Sequence, residues 1–112
     1  MTNKSIKLVR MKTAINALLA DIKTKPHPAD KIILFGSVAK DCIHERSDMD
    51  ICIVSDEELS IREQRGIENY FHDMSQGEFE LDFTYCDNDK LQSGDRVFER
   101  IRQEGRVIYE RV

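Results

Sequence analysis

Three acids and one Gly-Ser pair hold most of the chemical potential of this chain of 112 residues. Asp48 and Asp50 stand two apart at the start of the β-rich run Met49–Ser55, so both carboxylates are expected on one face of a strand, close together. Asp82 lies within Phe79-Glu80-Leu81-Asp82-Phe83-Thr84-Tyr85. Alternation there sets Phe79, Leu81, Phe83 and Tyr85 on one face and Glu80, Asp82 and Thr84 on the other. The bulky face should pack and the acidic face stay open. Neighbouring carboxylates repel and favour a shared cation, and an oxygen-only ligand set suits Mg²⁺ or Mn²⁺. Gly36-Ser37 ends the apolar run Lys31-Ile32-Ile33-Leu34-Phe35 and precedes Val38-Ala39-Lys40, which can open a short helix. A strand–turn–helix junction with glycine exposes backbone amides, a setting that attracts phosphate, and the Ser37 hydroxyl adds a donor. Each signal alone has an ordinary alternative: acids keep strand ends soluble, and a Gly-Ser turn caps a helix. No Walker A spacing occurs in the chain.

The elements that must position these residues follow from periodicity. Leu8, Ile15, Leu18, Leu19 and Ile22 recur at helical spacing from Ser5 to about Lys23, and Pro26-His27-Pro28 must break that helix. Lys31–Phe35 reads as a buried strand. In the next strand Ile51 and Ile53 point to one side and Asp50, Cys52 and Val54 to the other. Ser60 with Glu63 forms a capping box, Ile67, Tyr70, Phe71 and Met74 give the helix that follows its buried stripe, and Gly77 suits its end. After the Asp82 strand, a last helix runs from about Asp95 to Glu104, stops at Gly105, and leads into Val107-Ile108-Tyr109 as a final short strand. The expected fold is α/β (α+β): a small mixed β-sheet with helices packed on one face, forming one domain over residues 1–112.

Composition narrows the class. Hydrophobic residues make up 40% and charged residues 34%, a globular balance. No apolar run approaches the roughly 20 residues that span a bilayer, and the opening residues lack a signal-peptide core, so a cytoplasmic protein with no membrane association is expected. Seventeen Lys and Arg against 21 Asp and Glu give a net charge of -4, which disfavours general nucleic-acid binding. Lys4, Lys7, Arg10, Lys12, Lys23, Lys25 and Lys31 crowd the first 31 residues and read as the solvated face of the first helix. Cys42, Cys52 and Cys86 show no CxxC spacing and read as reduced thiols. His27, His44 and His72 are dispersed and lack ligand spacing.

Joined together, the signals read Gly36-Ser37, ten residues, then Asp48-Met49-Asp50. This resembles the GS-x10-D-x-D signature of the DNA polymerase β-like nucleotidyltransferase superfamily, above all its minimal members, the MNT proteins encoded beside HEPN or helical substrate-binding partners. The segment VFERIRQEGRVIYER also resembles the family's usual ending. The resemblance implies that Gly36 and Ser37, with Ser47 and Lys40 beside them, bind the nucleotide. It further implies that Asp48 and Asp50 bind two Mg²⁺ ions and that Asp82 is the third carboxylate, ligating one metal and helping to deprotonate an acceptor hydroxyl. Where the family often has G-S-x-A-R-G, this chain has Gly36-Ser37-Val38-Ala39-Lys40-Asp41. Lys40 meets phosphate as a point charge without the arginine fork. Arg46 is a second phosphate candidate, although a surface role suits it better. The implied activity is Mg²⁺-dependent transfer of a nucleotidyl group, AMP from ATP first, to a hydroxyl. The acceptor would lie on or be bound by a HEPN-type toxin or substrate-binding subunit in a heteromer; separately, exposed apolar residues on the helices of so small a domain could make a homodimer face. Two alternatives stay open: an antitoxin that neutralises its partner by binding alone, and a nucleotide-binding sensor without transfer.

Overall fold

The computed structural model describes residues 3–111. Helix α1 (Asn3–Asp21) passes through a single 3₁₀ turn (Ile22–Thr24) into strand β1 (Lys31–Phe35). Strand β2 (Met49–Val54), helix α2 (Ile61–Ser75) and strand β3 (Leu81–Cys86) come next. A four-residue helix α3 (Asn88–Leu91), helix α4 (Arg96–Glu104) and strand β4 (Arg106–Glu110) complete the fold. The four strands form one mixed sheet in the order β3-β2-β1-β4. β1 runs antiparallel to β2 and to β4, whereas β2 and β3 are parallel. That parallel pair requires a crossover, which α2 supplies.

Local chemistry explains the boundaries. Ser60 Oγ accepts from the Glu63 amide at 3.1 Å and Glu63 Oε1 accepts from the Ser60 amide at 3.0 Å, so the capping box starts α2 as its sequence predicts. Gln76 and Gly77, both with positive φ, end it. Helix α4 stops at Gly105, where a β-carbon would overlap Ile33 Cγ2 and the Ile101 carbonyl. The close approach of helix end and sheet demands glycine there. The proline pair after α1 surrounds His27, which is buried. Its Nε2 lies 2.9 Å from the Ile22 carbonyl, its amide donates to the Tyr109 hydroxyl at 3.1 Å, and its ring meets Tyr70 and Tyr109 edge-on.

The two sheet faces are covered unequally. Met11, Leu18, Ile67 and Phe71 from α1 and α2 pack on Ile32, Leu34, Ile51 and Ile53. This is the helix-covered face the periodicity implies, with Met11 added to the stripe. One part of the expectation is corrected: helices do not lie on one face only. Phe98 and Ile101 of α4, with Leu91 of α3, pack on Ile33, Cys52 and Val54 on the other side. The apolar stripe of a short helix declares that it packs, but not on which side of a sheet. The Asp82 strand begins at Leu81 rather than Phe79. Phe79 is buried ahead of it, and Glu80 contributes its carbonyl to the Met49 amide at 2.8 Å. In β4 the pairing with β1 slips between Ile32 and Ile33, and this bulge lets the consecutive residues Ile108 and Tyr109 both join the larger core. Among the described residues no helix is long and apolar enough to cross a membrane.

Candidate active site

Strand polarity brings the sequence-predicted residues to one end of the sheet. β1 ends at Phe35, directly opposite Asp50 in β2, and Asp50 stands in register with Asp82 on the parallel strand β3. Residues opposite one another on adjacent strands share a face, so Asp50 and Asp82 are side-by-side carboxylates. Gly36 follows Phe35 with φ of +78°, and a β-carbon on it would overlap Asp50 Oδ2 and come within 3.3 Å of Asp50 Cγ. The backbone of the Gly-Ser turn thus lies against the Asp50 carboxylate, and only glycine permits both the turn and the approach. Asp48 is exposed in the loop one residue ahead of β2. It borders a cleft of about 360 Å³ together with Lys7, Arg46 and Glu80.

The segment after Ser37 differs from its expectation. Val38-Ala39-Lys40 forms turns instead of opening a helix: the Lys40 amide donates to the Gly36 carbonyl at 3.3 Å and the Cys42 amide to the Ser37 carbonyl at 2.9 Å. The turn closes through Asp41 with φ of +56°. A left-handed residue there accounts physically for the glycine common in the family, and aspartate is among the few side chains that tolerate it. Val38 is buried and anchors the turn to the larger core. Ser47 is buried, with its Oγ accepting from the His44 amide at 2.9 Å while its own amide donates to the His44 carbonyl at 2.9 Å. Its hydroxyl therefore closes the loop that carries Asp48. Arg46 is exposed and lines the same cleft as Asp48.

Burial pushes the Asp50 carboxyl above its ordinary value, and the charges of Asp82 and Asp48 push it further, against an opposing pull from the Arg100 guanidinium. The three acids therefore feel one another. Among the described residues no three His, Cys, Asp or Glu side chains converge tightly enough to hold a metal ion as they stand. The donor set nevertheless fits a hard divalent cation: it is all carboxylate, and its mutual repulsion is what a cation relieves. Two residues escaped the sequence reading. Arg100 and Glu104 of α4 reach this end of the sheet because Gly105 brings the helix terminus down onto Ile33. Glu104 Oε1 lies 2.9 Å from Lys40 Nζ, and Arg100 Nε lies 3.4 Å from Glu104 Oε2. Their (i, i+4) spacing is a sequence signal for a mutual pair, but nothing in it points to Lys40.

Solved structures share this fold. A toxin–antitoxin complex with AMP-PNP is 20% identical over 90% of this chain and 73% of the matched chain, with a TM-score of 0.52. A doubly substituted form of the MntA–HpeT toxin–antitoxin pair is 18% identical over 90% and 73%, with a TM-score of 0.50. A more distant likeness, to the tri-AMPylated Shewanella oneidensis HEPN toxin in complex with MNT antitoxin, is 17% identical over 94% and 73%, with a TM-score of 0.45. At these identities the likeness to the first two is one of fold alone. No curated protein matches the sequence significantly. Sequence itself supplies the family: the polymerase beta nucleotidyltransferase model matches residues 18–112, a span that includes the Gly-Ser turn and all three acids, and the chain belongs to that family.

Proposed function

We propose that this chain is a Mg²⁺-dependent nucleotidyltransferase that moves AMP from ATP to a hydroxyl on, or bound by, a helical partner of the HEPN type, and that it serves as the antitoxin of such a pair. One observation carries the reading: Gly36 lies against the Asp50 carboxylate while Asp82 stands in register beside it. A phosphate-approaching turn and an acidic pair are thereby joined at one point. Structures of the same fold come from toxin–antitoxin complexes, one of them with AMP-PNP, which supports both the partner and the donor.

In this reading the Gly36–Ser37 amides and the Ser37 hydroxyl hold the β- and γ-phosphates, and Lys40 adds a positive charge. Asp48 and Asp50 would hold two Mg²⁺ ions, with Asp82 ligating one of them. Bound there, the ions supply Lewis acidity to both the attacking and the leaving oxygen. Asp82 takes the proton of the acceptor hydroxyl. The hydroxyl oxygen bonds to the α-phosphorus, the bond to the bridging oxygen of the β-phosphate breaks, and pyrophosphate departs. Such a transfer needs chiefly positioning and charge stabilisation, so a small domain suffices.

Neutralisation by binding alone is the competing reading, and the pairing of Lys40 with Glu104 favours it, since the basic group of the turn already has a partner. ATP labelled at the α- or γ-phosphate separates the two. With Mg²⁺ and the native lysate, wild type should place label on a macromolecule from the α position only, and Asp48→Asn/Asp50→Asn should place none. Full neutralisation of the partner by that double variant would leave only the binding reading.

A further inference from the structure

Lys40 and Arg100 come from distant parts of the chain and meet on the two oxygens of one carboxylate. Lys40 Nζ lies 2.9 Å from Glu104 Oε1, and Arg100 Nε lies 3.4 Å from Glu104 Oε2. Lys40 belongs to the Gly36–Asp41 turn. Arg100 and Glu104 stand on α4, whose end rests on Ile33, while Phe35 of the same α4-covered cluster faces Asp50 across the strands. A single anion thus holds two cations at the rim of the acid cluster, on the side where the Gly-Ser turn emerges. The Arg100 side chain is 68% exposed, and among the described residues its one hydrogen bond runs from Nε to Glu104 Oε2, leaving both terminal guanidinium nitrogens uncommitted. A planar guanidinium with terminal donors to spare is suited to bidentate binding of phosphate oxygens, and a lysine beside it supplies a point charge. Glu104 does for these cations what a phosphate would do.

We propose that Lys40 and Arg100 form a polyphosphate clamp for the β- and γ-phosphates of the donor, with Glu104 as the internal anion that occupies it until the nucleotide enters. The clamp rests on the reading of this site as one that takes a nucleoside triphosphate. It extends the phosphate site from the Gly-Ser turn to the last helix, so the clamp's two cations stand 60 positions apart in the chain. It also sets affinity by competition: each cation gained by phosphate is one released by Glu104. None of the three side chains is buried, and Arg100 is largely exposed, so their replacement tests binding rather than folding.

Calorimetric titration of the full chain with MgATP, AMP and inorganic tripolyphosphate decides the matter, with Glu104→Gln and Arg100→Gln beside wild type and thermal unfolding as the folding control. Glu104→Gln should tighten MgATP and tripolyphosphate roughly three- to tenfold, and Arg100→Gln should weaken both about tenfold, as expected for charge-assisted bonds. AMP, lacking the β- and γ-phosphates, should bind all three proteins alike. Equal effects on AMP and MgATP, or no effect of either substitution, would overturn the clamp. Tripolyphosphate binding that responds to both substitutions, with no MgATP binding, would keep the clamp and remove the nucleotide reading.

Discussion

At the level of single residues, the site is built from two features that stability alone would not select. Gly36 adopts φ of +78° with no room for a β-carbon beside Asp50. Gly36→Ala should therefore cost about 2–3 kcal/mol through left-handed strain and overlap, lowering Tm by roughly 10 °C. A variant with wild-type Tm in a calorimetric scan would mean that the close approach is not rigid. Asp50 makes the opposite case. Its carboxyl is raised by burial and by Asp82 and Asp48, so the ionised form is held less comfortably in the folded protein than in the unfolded chain. At neutral pH that charge works against folding. Without divalent cation, Asp50→Asn should raise Tm, but only modestly, because Asp50 is only part-buried and solvent screens much of the repulsion. Added Mg²⁺ should stabilise wild type and leave the variant unmoved. A lower Tm for the metal-free variant would refute the repulsion.

Among the elements, α1 and α2 form the floor under the sheet, and one polar link between them titrates. The Tyr70 hydroxyl of α2 donates to Asp21 Oδ2 of α1 at 2.8 Å, and Lys25 Nζ sits 4.5 Å from the Tyr70 ring centre. Burial first, then the hydrogen bond and charge of Asp21, push the tyrosine well above its ordinary value near 10. A folded-state value above the unfolded one means that the stabilisation is complete below about pH 10 and is lost as pH rises through the folded value. Tyr70→Phe should cost about 1 kcal/mol at pH 7, and the gap to wild type should close from pH 10 upward. Tyr85, raised in the same way by burial and Glu68, is common to both proteins and cancels from the comparison. Urea unfolding at pH 7, 10 and 11 measures the gap, and a constant gap would refute the link. These same elements show what a sequence exposes to view. The capping box of α2, the apolar run of β1 and the alternation of Asp50 with Ile51 are local patterns, and they are read correctly. The side of the sheet that α4 covers, the bulge in β4 and the start of β3 at Leu81 depend on long-range pairing that no local pattern records. The Gly-Ser turn and the acids are legible through their fixed spacing. Arg100 and Glu104 look in the sequence like ordinary charges on an exposed helix, because what sets them apart is where Gly105 lands.

On the scale of the whole molecule, the sheet is supported by two unequal cores. Among the described residues, eighteen buried side chains form the cluster on the α1/α2 side and only six form that on the α3/α4 side. Opening free energy follows buried apolar area, so α4 should be the first long helix to detach and α2 among the last. Arg100 and Glu104 ride on that weaker layer, which ties the shape of the acid-cluster rim to a local equilibrium rather than to global stability. Ile101, 1% exposed, is the side chain through which this can be tested, since it anchors α4 beside Phe98 and Ile33 without touching the larger core. Ile101→Ala should cost about 2–4 kcal/mol, and nearly all of that cost should fall on α4. Native-state hydrogen exchange should show the amides of residues 96–104 losing protection by tens- to hundreds-fold while those of residues 61–75 change little. If α2 and α4 lost protection together and by the same factor, the two layers would form one cooperative unit. A confined loss would instead mean that α4 can move its charged pair relative to Asp50 while the rest of the fold stays closed.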